Sequence, residues 1–469
     1  MEKYDVIIVG AGPAGIFSAF ELSRVNDLRV LIIEKGKDIG KRNCPVVEGG
    51  ACRRCKPCDL LSGWGGAGAF SDGKLTLSPG VGGWLDEIIG EEELKRIIQY
   101  VDEIFLQFGA PEEVYGGDEA VFREWQRKAN LAEMQLLPNK IRHIGTEKAR
   151  EILKDMRGAL KSVEVVTGEN VSRLLVEDGL IKGVETDKGK RYYSDFVIVA
   201  PGRQGAEWLV AECKRIGVPV RTNPVDVGVR VEVPAVLMEP LTSSLYEPKL
   251  VFYSKSFDDK VRTFCVCPHG EVVKEFSNGV AIVNGHSYAD RQTENTNFAI
   301  LISTAFTEPF KDPIGYGKYI AALANMLADG IMVQRLGDLE SGRRSTKERI
   351  GRGIVSPTLK DATPGDLSFV LPYRYITDIL EMLYALDRLL PGIASRHTLL
   401  YGVEVKFYSS RLALSPKLET PIKNLFAIGD GAGITRSLVQ AAVSGVIAGR
   451  EIVYRIKKGE TGRFPSASL

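Results

Sequence analysis

The first fifteen residues constrain this chain more than any other stretch. Val6 to Val9 is a continuous apolar run of strand formers, and Gly10-x-Gly12-x-x-Gly15 follows at once. Ile16 to Arg24 carries apolar residues at helical spacing, and Leu28 to Ile33 is a second apolar strand ending in Glu34. A lone GxGxxG says little. Strand, tight turn, helix, strand and acid in that order form the dinucleotide fingerprint. Its glycines allow the turn, let the backbone approach a pyrophosphate and let the helix pack on the strand. The helix N-terminus then offers free N–H groups and a partial positive charge to the phosphates. Glu34 lies nineteen residues after Gly15, where a carboxylate accepts from ribose hydroxyls. It would repel a 2′-phosphate, so FAD or NAD suits the site better than NADP. The alternative is an ordinary βαβ unit with a glycine turn.

With 469 residues the chain is too long for one typical core, and two or three domains are expected. At 44% hydrophobic and 26% charged residues it reads as a soluble globular protein. A net charge of +1 gives no argument for nucleic acid or a charged membrane as partner. No apolar run reaches transmembrane length. The chain enters its first strand within four residues, so no signal peptide and a cytoplasmic location are expected. Four of the seven cysteines fall between Cys44 and Cys58, which in a reducing compartment points to metal or redox chemistry.

Lys35 to Pro79 is rich in glycine and cysteine and too long for an idle loop. Residues 84–157 turn helical, in segments such as Leu94–Leu106 and Thr146–Lys154, and read as a helical insertion. Val163 to Gly202 holds short strands, with turns at Glu177-Asp-Gly and Asp187-Lys-Gly that make hairpins. The stretch ends in an apolar strand running into Pro201-Gly202-Arg203. Residues 224–394 mix strands (Val227–Val233, Val261–Cys267, Val280–Asn284) with helices expected at Asn297–Phe306, Tyr316–Ala328 and Ile376–Leu390. Asn424 to Gly433 brings a strand, then Asp430 between glycines, then a helix from about Arg436 to Ile456. Alanines and glycines in residues 440–450 permit close helix packing.

The opening Val-Gly-Ala-Gly-Pro-Ala-Gly with Glu34, the Val-Ala-Pro-Gly-Arg at 199–203 and the Leu-Phe-Ala-Ile-Gly-Asp-Gly-Ala at 425–432 together resemble the nucleotide segments of the two-dinucleotide-binding FAD flavoproteins. Gly65–Leu75, Leu400–Phe407 and Gly429–Arg436 look most like bacterial and archaeal FAD-dependent dehydrogenases. The motifs run from end to end of the chain. They specify FAD and leave the substrate open, because one fold hosts many reactions.

The resemblance implies an α/β fold: a Rossmann-like FAD-binding domain with a β-meander, a mixed α+β substrate domain and a helical insertion. The corresponding divisions are 1–83, 158–223 and 395–469 for the FAD-binding domain, 84–157 for the insertion and 224–394 for the substrate domain. It implies FAD contacts from Gly10, Gly12, Pro13, Ala14, Gly15, Glu34, Lys35 and Arg42, and from Ala200, Pro201, Gly202 and Arg203. Asp430, flanked by Gly429 and Gly431, would bond the ribityl or pyrophosphate region. The helix starting near Arg436 would aim its N-terminus at the flavin pyrimidine edge and favour the anionic reduced ring, with Ser437 among the FAD contacts. Val171 would meet the adenine through its backbone. Gly68, Ala69, Phe70 and Ser71 lie in a segment, Gly65–Lys74, expected along the isoalloxazine. A plain flexible loop is the alternative there.

Cys44, Cys52, Cys55 and Cys58 read C-x7-C-x2-C-x2-C. The C-x2-C-x2-C core matches the bacterial ferredoxin run, and a [4Fe–4S] cluster is the preferred reading. Structural zinc comes next, although zinc sites usually place two C-x2-C pairs well apart. Disulfides or free thiols are the remaining alternatives. Lys41, Arg42, Arg53, Arg54 and Lys56 would offset the thiolate charge of either metal site.

Cys265 and Cys267 would share one face of a strand, either as buried small hydrophobes or as thiols near the flavin. Cys267 and His269 are the candidate catalytic pair, with His269 as proton donor, and His286 is a weaker candidate. Gly342–Arg352 is basic and reads as a solvated loop, or as a site for an anionic substrate or nicotinamide phosphates. Tyr401, Glu404 and Lys406 reach an active site by analogy alone. The expectation is an FAD-dependent oxidoreductase acting between a reduced donor, NAD(P)H or ferredoxin, and a small organic substrate. An FAD-containing electron-transfer subunit and a geranylgeranyl-reductase-like lipid reductase are the alternatives.

Overall fold

Lys3–Val9 forms a strand because its Val and Ile side chains are buried on both faces, as a central parallel strand requires. It pairs in parallel with Val30–Glu34 on one side and with Arg191–Val199 on the other. This is the computed structural model of the chain, and it describes residues 3–45, 53, 55–277, 279–287, 292–304, 306, 312–407 and 410–460. Cys52 and Arg54 lie outside the described residues.

The chain divides into two compact units. The first comprises Met1–Glu113, Arg142–Thr222 and Ser409–Leu469. Its main sheet runs in the order Val163–Thr167, Val30–Glu34, Lys3–Val9, Arg191–Val199, Leu180–Thr186, Val171–Glu177. The last three strands form an antiparallel meander. Leu425–Ala427 returns to pair in parallel with the end of Arg191–Val199. The helix Pro13–Leu22 packs on the C-terminal helix Leu438–Lys457 through small residues. A Cβ at Gly445 would stand 2.1 Å from the Ala14 carbonyl oxygen, and Ser18 Oγ donates to the Gly445 carbonyl at 3.1 Å.

The second unit comprises Val114–Ile141 and Asn223–Tyr408. Its principal sheet runs Thr363–Pro364, Met332–Arg335, Leu399–Lys406, Val225–Pro234, Asn295–Thr304, Lys260–Cys267, Lys249–Tyr253, Gln135–Leu137. Val225–Pro234 alternates strictly. Val225, Val227, Val229, Val231 and Val233 enter a core with Met238 and Leu241, Ile320, and Ile379 and Met382, from three separate helices. Asp226, Arg230 and Glu232 point the other way and are nevertheless buried. A hairpin, Glu271–Ser277 with Val280–His286, comes against that face where Gly285 meets Arg230: a Cβ at Gly285 would lie 2.1 Å from Arg230 Nη1.

Three local expectations change. Asn295–Thr304 is a strand, paired on both sides, where a helix over Asn297–Phe306 is expected. Its run Phe-Ala-Ile-Leu-Ile fits either state by periodicity, and strand neighbours on both sides decide it. The last helix begins at Leu438 with Ser437 as its N-cap rather than at Arg436, since Ser437 Oγ accepts from the Gln440 N–H at 3.1 Å. Cys265 and Cys267 are not on a regular strand: Cys265 has φ of 42° and the pairing slips between Phe264 and Cys267, which breaks the two-residue alternation. Residues 84–157 are divided between the two units, and residues 399–406 supply a strand of the second unit's sheet.

Asp378, on the helix Tyr373–Leu389, is fully buried against the loop joining Lys249–Tyr253 to Lys260–Cys267. Burial, and then neighbouring Asp259, push its carboxyl up to about 6, although Ser254 pulls the other way. Arg374 holds Asp259 below the ordinary range, with bonds of 2.5 and 2.8 Å. Because the folded Asp378 keeps its proton to a higher pH than the unfolded chain does, its contribution favours folding at low pH. That contribution fades as pH rises from about 4 to about 6. Asp378→Asn is expected to flatten this slope and to stabilise the chain by about 1–3 kcal/mol at pH 7. Urea denaturation midpoints at pH 4.5 and 7 check both.

Candidate nucleotide and redox site

The first glycine turn is fixed by backbone contacts in the first unit. Gly10 has φ of 103°, and a Cβ there would stand 2.2 Å from the Ala200 carbonyl oxygen. Gly12 is extended, and a Cβ there would come into ordinary contact with Gly66 Cα at 3.9 Å. The helix that follows has Pro13 in its first turn, no side-chain cap and no acid in that turn. Its free N–H groups and dipole suit a pyrophosphate. The residues present therefore fit a dinucleotide.

Glu34 is buried at the end of its strand. Its Oε2 accepts from the Ala11 N–H at 2.9 Å, and its Oε1 accepts from the Gly36 and Gly63 N–H groups, each at 2.8 Å. An ionised carboxylate has about four acceptor positions, which leaves room for a ribose hydroxyl. The same side chain thus ties the glycine turn to the cysteine- and glycine-rich loop, a link no local motif announces.

Gly65 N–H donates to the Ala11 carbonyl at 2.8 Å, and Gly66 packs on Gly12. Gly68 sits against Pro13 and Leu438, with Ala69 and Phe70 buried and Ser71 following. The segment from Gly66 to Phe70 is a short 3₁₀ turn, not a loose loop. Arg42 is buried and donates to the carbonyls of Asp59, Leu60 and Trp64 at 3.0, 2.9 and 2.6 Å, with Phe70 beneath its guanidinium. It braces this loop. Burial pushes Arg42 down to about 10 and also lowers Lys35, and Glu34 partly offsets both.

Ala200, Pro201 and Gly202 close the far end of Arg191–Val199. Gly431 packs on Pro201 and the Gly202 carbonyl, and Gly429 meets Ala14. Gly429 N–H donates to Ser444 Oγ at 3.0 Å. Asp430 accepts from Thr435 Oγ1 at 2.7 Å and lies 3.7 Å from Arg203. Burial raises the Asp430 carboxyl, opposed by Arg203. Val171 is buried at the start of its strand. Residues 79–84 are stitched to the same corner: Gln440 Nε2 donates to Pro79 and Val81, Arg436 N–H donates to Gly82 at 2.7 Å, and the Arg436 guanidinium covers Trp84. Three distant stretches therefore converge on one turn.

Of the cysteine loop, Cys44 is buried, Cys58 half-buried and Cys55 exposed. Burial raises the Cys58 thiol, with Cys55 and Cys44 adding to this by charge repulsion, while the Leu61 and Leu60 N–H groups favour its thiolate. Asp59 N–H donates to Cys55 Sγ at 3.4 Å. Such N–H···S bonds suit metal-bound thiolates. Among the described residues no group of three or more Cys, His, Asp or Glu is arranged to hold a metal ion.

In the second unit Cys267 is buried, with Sγ 4.0 Å from Arg230 Nη1. His269 is held by its neighbours: Nδ1 lies 3.1 Å from the Thr293 carbonyl and Nε2 3.5 Å from Glu239. His286 ends the hairpin strand opposite Glu271. The basic loop 342–352 is partly consumed by a buried carboxylate. Asp338 accepts from Arg343 at 3.0 Å and Ser345 at 2.8 Å, with Arg349 and Arg335 at 3.8 and 4.0 Å. The burial of Arg230, Glu232 and Glu404 went unread at the sequence level.

Residues 224–407 match the family model of the FAD-dependent protein C-terminal domain, and residues 8–52 match that of the NAD(P)-binding Rossmann-like domain. The chain carries the domains of an FAD-dependent oxidoreductase. An uncharacterised protein of Clostridium beijerinckii is 28% identical over 97% of this chain and 81% of its own length. The tRNA uridine 5-carboxymethylaminomethyl modification enzyme of Ureaplasma parvum is 26% identical over 43% of this chain, which spans about a quarter of that enzyme. Among solved structures, formate oxidase of Aspergillus oryzae superposes over 98% of this chain and 99% of its own, at 12% identity and a TM-score of 0.48. No helix among the described residues is long and apolar enough to cross a membrane.

Proposed function

We propose that this oxidoreductase moves hydride or electrons between a reduced donor, NAD(P)H or ferredoxin, and a small organic substrate, with a [4Fe–4S] cluster held by Cys44, Cys52, Cys55 and Cys58. One observation carries the pairing. Arg42 donates to the carbonyl of Asp59, the residue after Cys58, at 3.0 Å, and the nucleotide carboxylate Glu34 accepts from Gly63 of the same loop at 2.8 Å, so Cys58 sits close to Lys35 and Arg42. Cys58 at least therefore has cationic neighbours that offset thiolate charge, which supports the pairing. FAD supplies interconversion of two-electron and one-electron transfer.

The chain's own contributions are positional. Glu34 orients the ribose and holds the loop, the uncapped helix after Gly12 receives the pyrophosphate, and Asp430 accepts from the ribityl or pyrophosphate region. The N-terminus of Leu438–Lys457 favours negative charge on the reduced ring. Iron and acid-labile sulfide assays on anaerobically prepared protein test the cluster. About four of each per chain are expected, falling together in Cys55→Ser and Cys58→Ser. Stoichiometric zinc without iron would sink the cluster.

A further inference from the structure

The helix Pro313–Ala328 of the second unit is apolar almost throughout, with Lys318 as its one charged residue. One side of it is spent on its own unit. Pro313, Gly317, Ile320, Ala321, Ala324 and Ala328 are buried, and a Cβ at Gly317 would stand 2.9 Å from Val405 Cγ1. A surface helix normally turns charged and polar residues outward on the opposite side. Here Gly315, Tyr319, Ala322 and Met326 occupy that side, diametrically across the helix from the buried set. Tyr319 is 72% exposed and Met326 73%.

Exposed Leu327 and half-buried Leu323 extend this outer face. Asn325, on its flank, is turned inward. Its Oδ1 accepts from the Ala281 N–H at 2.8 Å, and its Nδ2 donates to the carbonyls of Ala281 and Gly330 at 2.8 and 3.0 Å. The stripe and its flanks expose roughly 400–500 Å² of apolar surface, near the top of the range for one patch on a monomer. Laid against an identical patch, they would cover about 1,000 Å² in total, enough for a weak, concentration-dependent dimer.

The order of sizes along the stripe selects a second copy as the occupant. Gly315, Tyr319, Ala322 and Met326 alternate small and large at spacings of four, three and four residues, the repeat of a coiled helix pair. That spacing reads the same from either end. A two-fold axis level with Ile320 and Ala321 therefore sets Tyr319 of one copy over Ala322 of the other, and Met326 over Gly315. Every large side chain meets a small one, and the helix dipoles run antiparallel. The central layers fit best. At the ends the Asp312 carboxylate, which accepts from the Gly315 N–H at 2.8 Å, borders the outer layer and approaches Asp329 of the other copy. Added salt should therefore tighten the pair.

We infer that the outer face of Pro313–Ala328 docks a second copy of this chain, the two helices antiparallel with Tyr319 seated on Ala322 in both central layers. A two-fold contact of this kind closes on itself and leaves no apolar edge for further copies. The inference is independent of the oxidoreductase reading above.

Sedimentation velocity on the full-length, FAD-loaded protein across about 1–100 μM tests it. The dimer fraction of the wild-type protein is expected to rise over that range. Ala322→Glu and Tyr319→Lys should each raise the dissociation constant about 10-fold or more, because each sets an unpaired charge in both central layers. Mixed in equal amounts, the two variants should dimerise again. One central layer is then native, and in the other the introduced carboxylate meets the introduced ammonium. Thermal midpoint and flavin content report whether each variant is folded. Wild-type protein that stays monomeric, single variants that dimerise as well as wild type, or a mixture no more associated than its components overturns the inference. Monomeric wild-type protein that binds phosphatidylglycerol vesicles would overturn it in favour of a lipid surface.

Discussion

Replacing Gly15 by alanine is expected to weaken FAD binding about 100-fold. The added Cβ would stand 2.0 Å from the Gly10 carbonyl oxygen and 3.2 Å from Ile8 Cγ2. Both neighbours belong to the strand and turn that the helix must touch, and backbone cannot step aside as a flexible side chain can. Gly10 is itself fixed, because its N–H bonds the Ile33 carbonyl at 2.8 Å and its Cα faces Ala200. Relief therefore means lifting the helix off the strand, which withdraws its N-terminus from the pyrophosphate. Overpacking of this kind costs about 3 kcal/mol, roughly a 100-fold loss of affinity. Gly158→Ala is the control. It lies in the helix Thr146–Ala159, and nothing lies within 4 Å of its Cβ. That change should keep FAD and add about 0.5–1 kcal/mol of stability. Released flavin per chain and the thermal midpoint check both.

Glu404→Leu is expected to destabilise the second unit by about 3–5 kcal/mol, because it strands the Arg230 charge in the interior. Burial alone would raise the Glu404 carboxyl, but Arg230 and Lys406 together hold it below its ordinary value. Burial alone would likewise lower Arg230, and Glu404 reverses this and holds it above. Asn297 and the Cys265 carbonyl accept from Arg230 but carry no charge to replace the lost carboxylate. The double variant Arg230→Met/Glu404→Leu should recover much of the loss, since it removes both buried charges and keeps volume. Urea denaturation of the two single variants and the double variant measures the coupling directly. Additive losses would show that the pair is not the unit that matters.

The nucleotide fold was legible because its determinants are local. Val6–Val9, the three glycines and Glu34 lie within thirty residues, and each has one geometric job. The meander was legible for the same reason, through Glu177-Asp-Gly and Asp187-Lys-Gly at its turns. What escaped is what tertiary pairing decides. Phe298 to Ile302 reads equally as buried helix or buried strand until Val225–Pro234 and Lys260–Cys267 flank it. The alternation of valines with Asp226, Arg230 and Glu232 signals a strand, and period-two charges normally face water. Here Gly285 and its hairpin come down on Arg230, a contact between residues 55 positions apart. Glu34 shows the opposite case: its position was readable, but its bonds to Gly36 and Gly63 were not.

The most direct test of the account is anaerobic mixing of the FAD-loaded protein with NADH, NADPH and reduced ferredoxin in turn, followed by flavin absorbance. Bleaching of the oxidised flavin by at least one physiological donor, and its return on adding the organic substrate, is the expected result. Flavin that dithionite reduces but none of the three donors touches would contradict a donor-linked oxidoreductase.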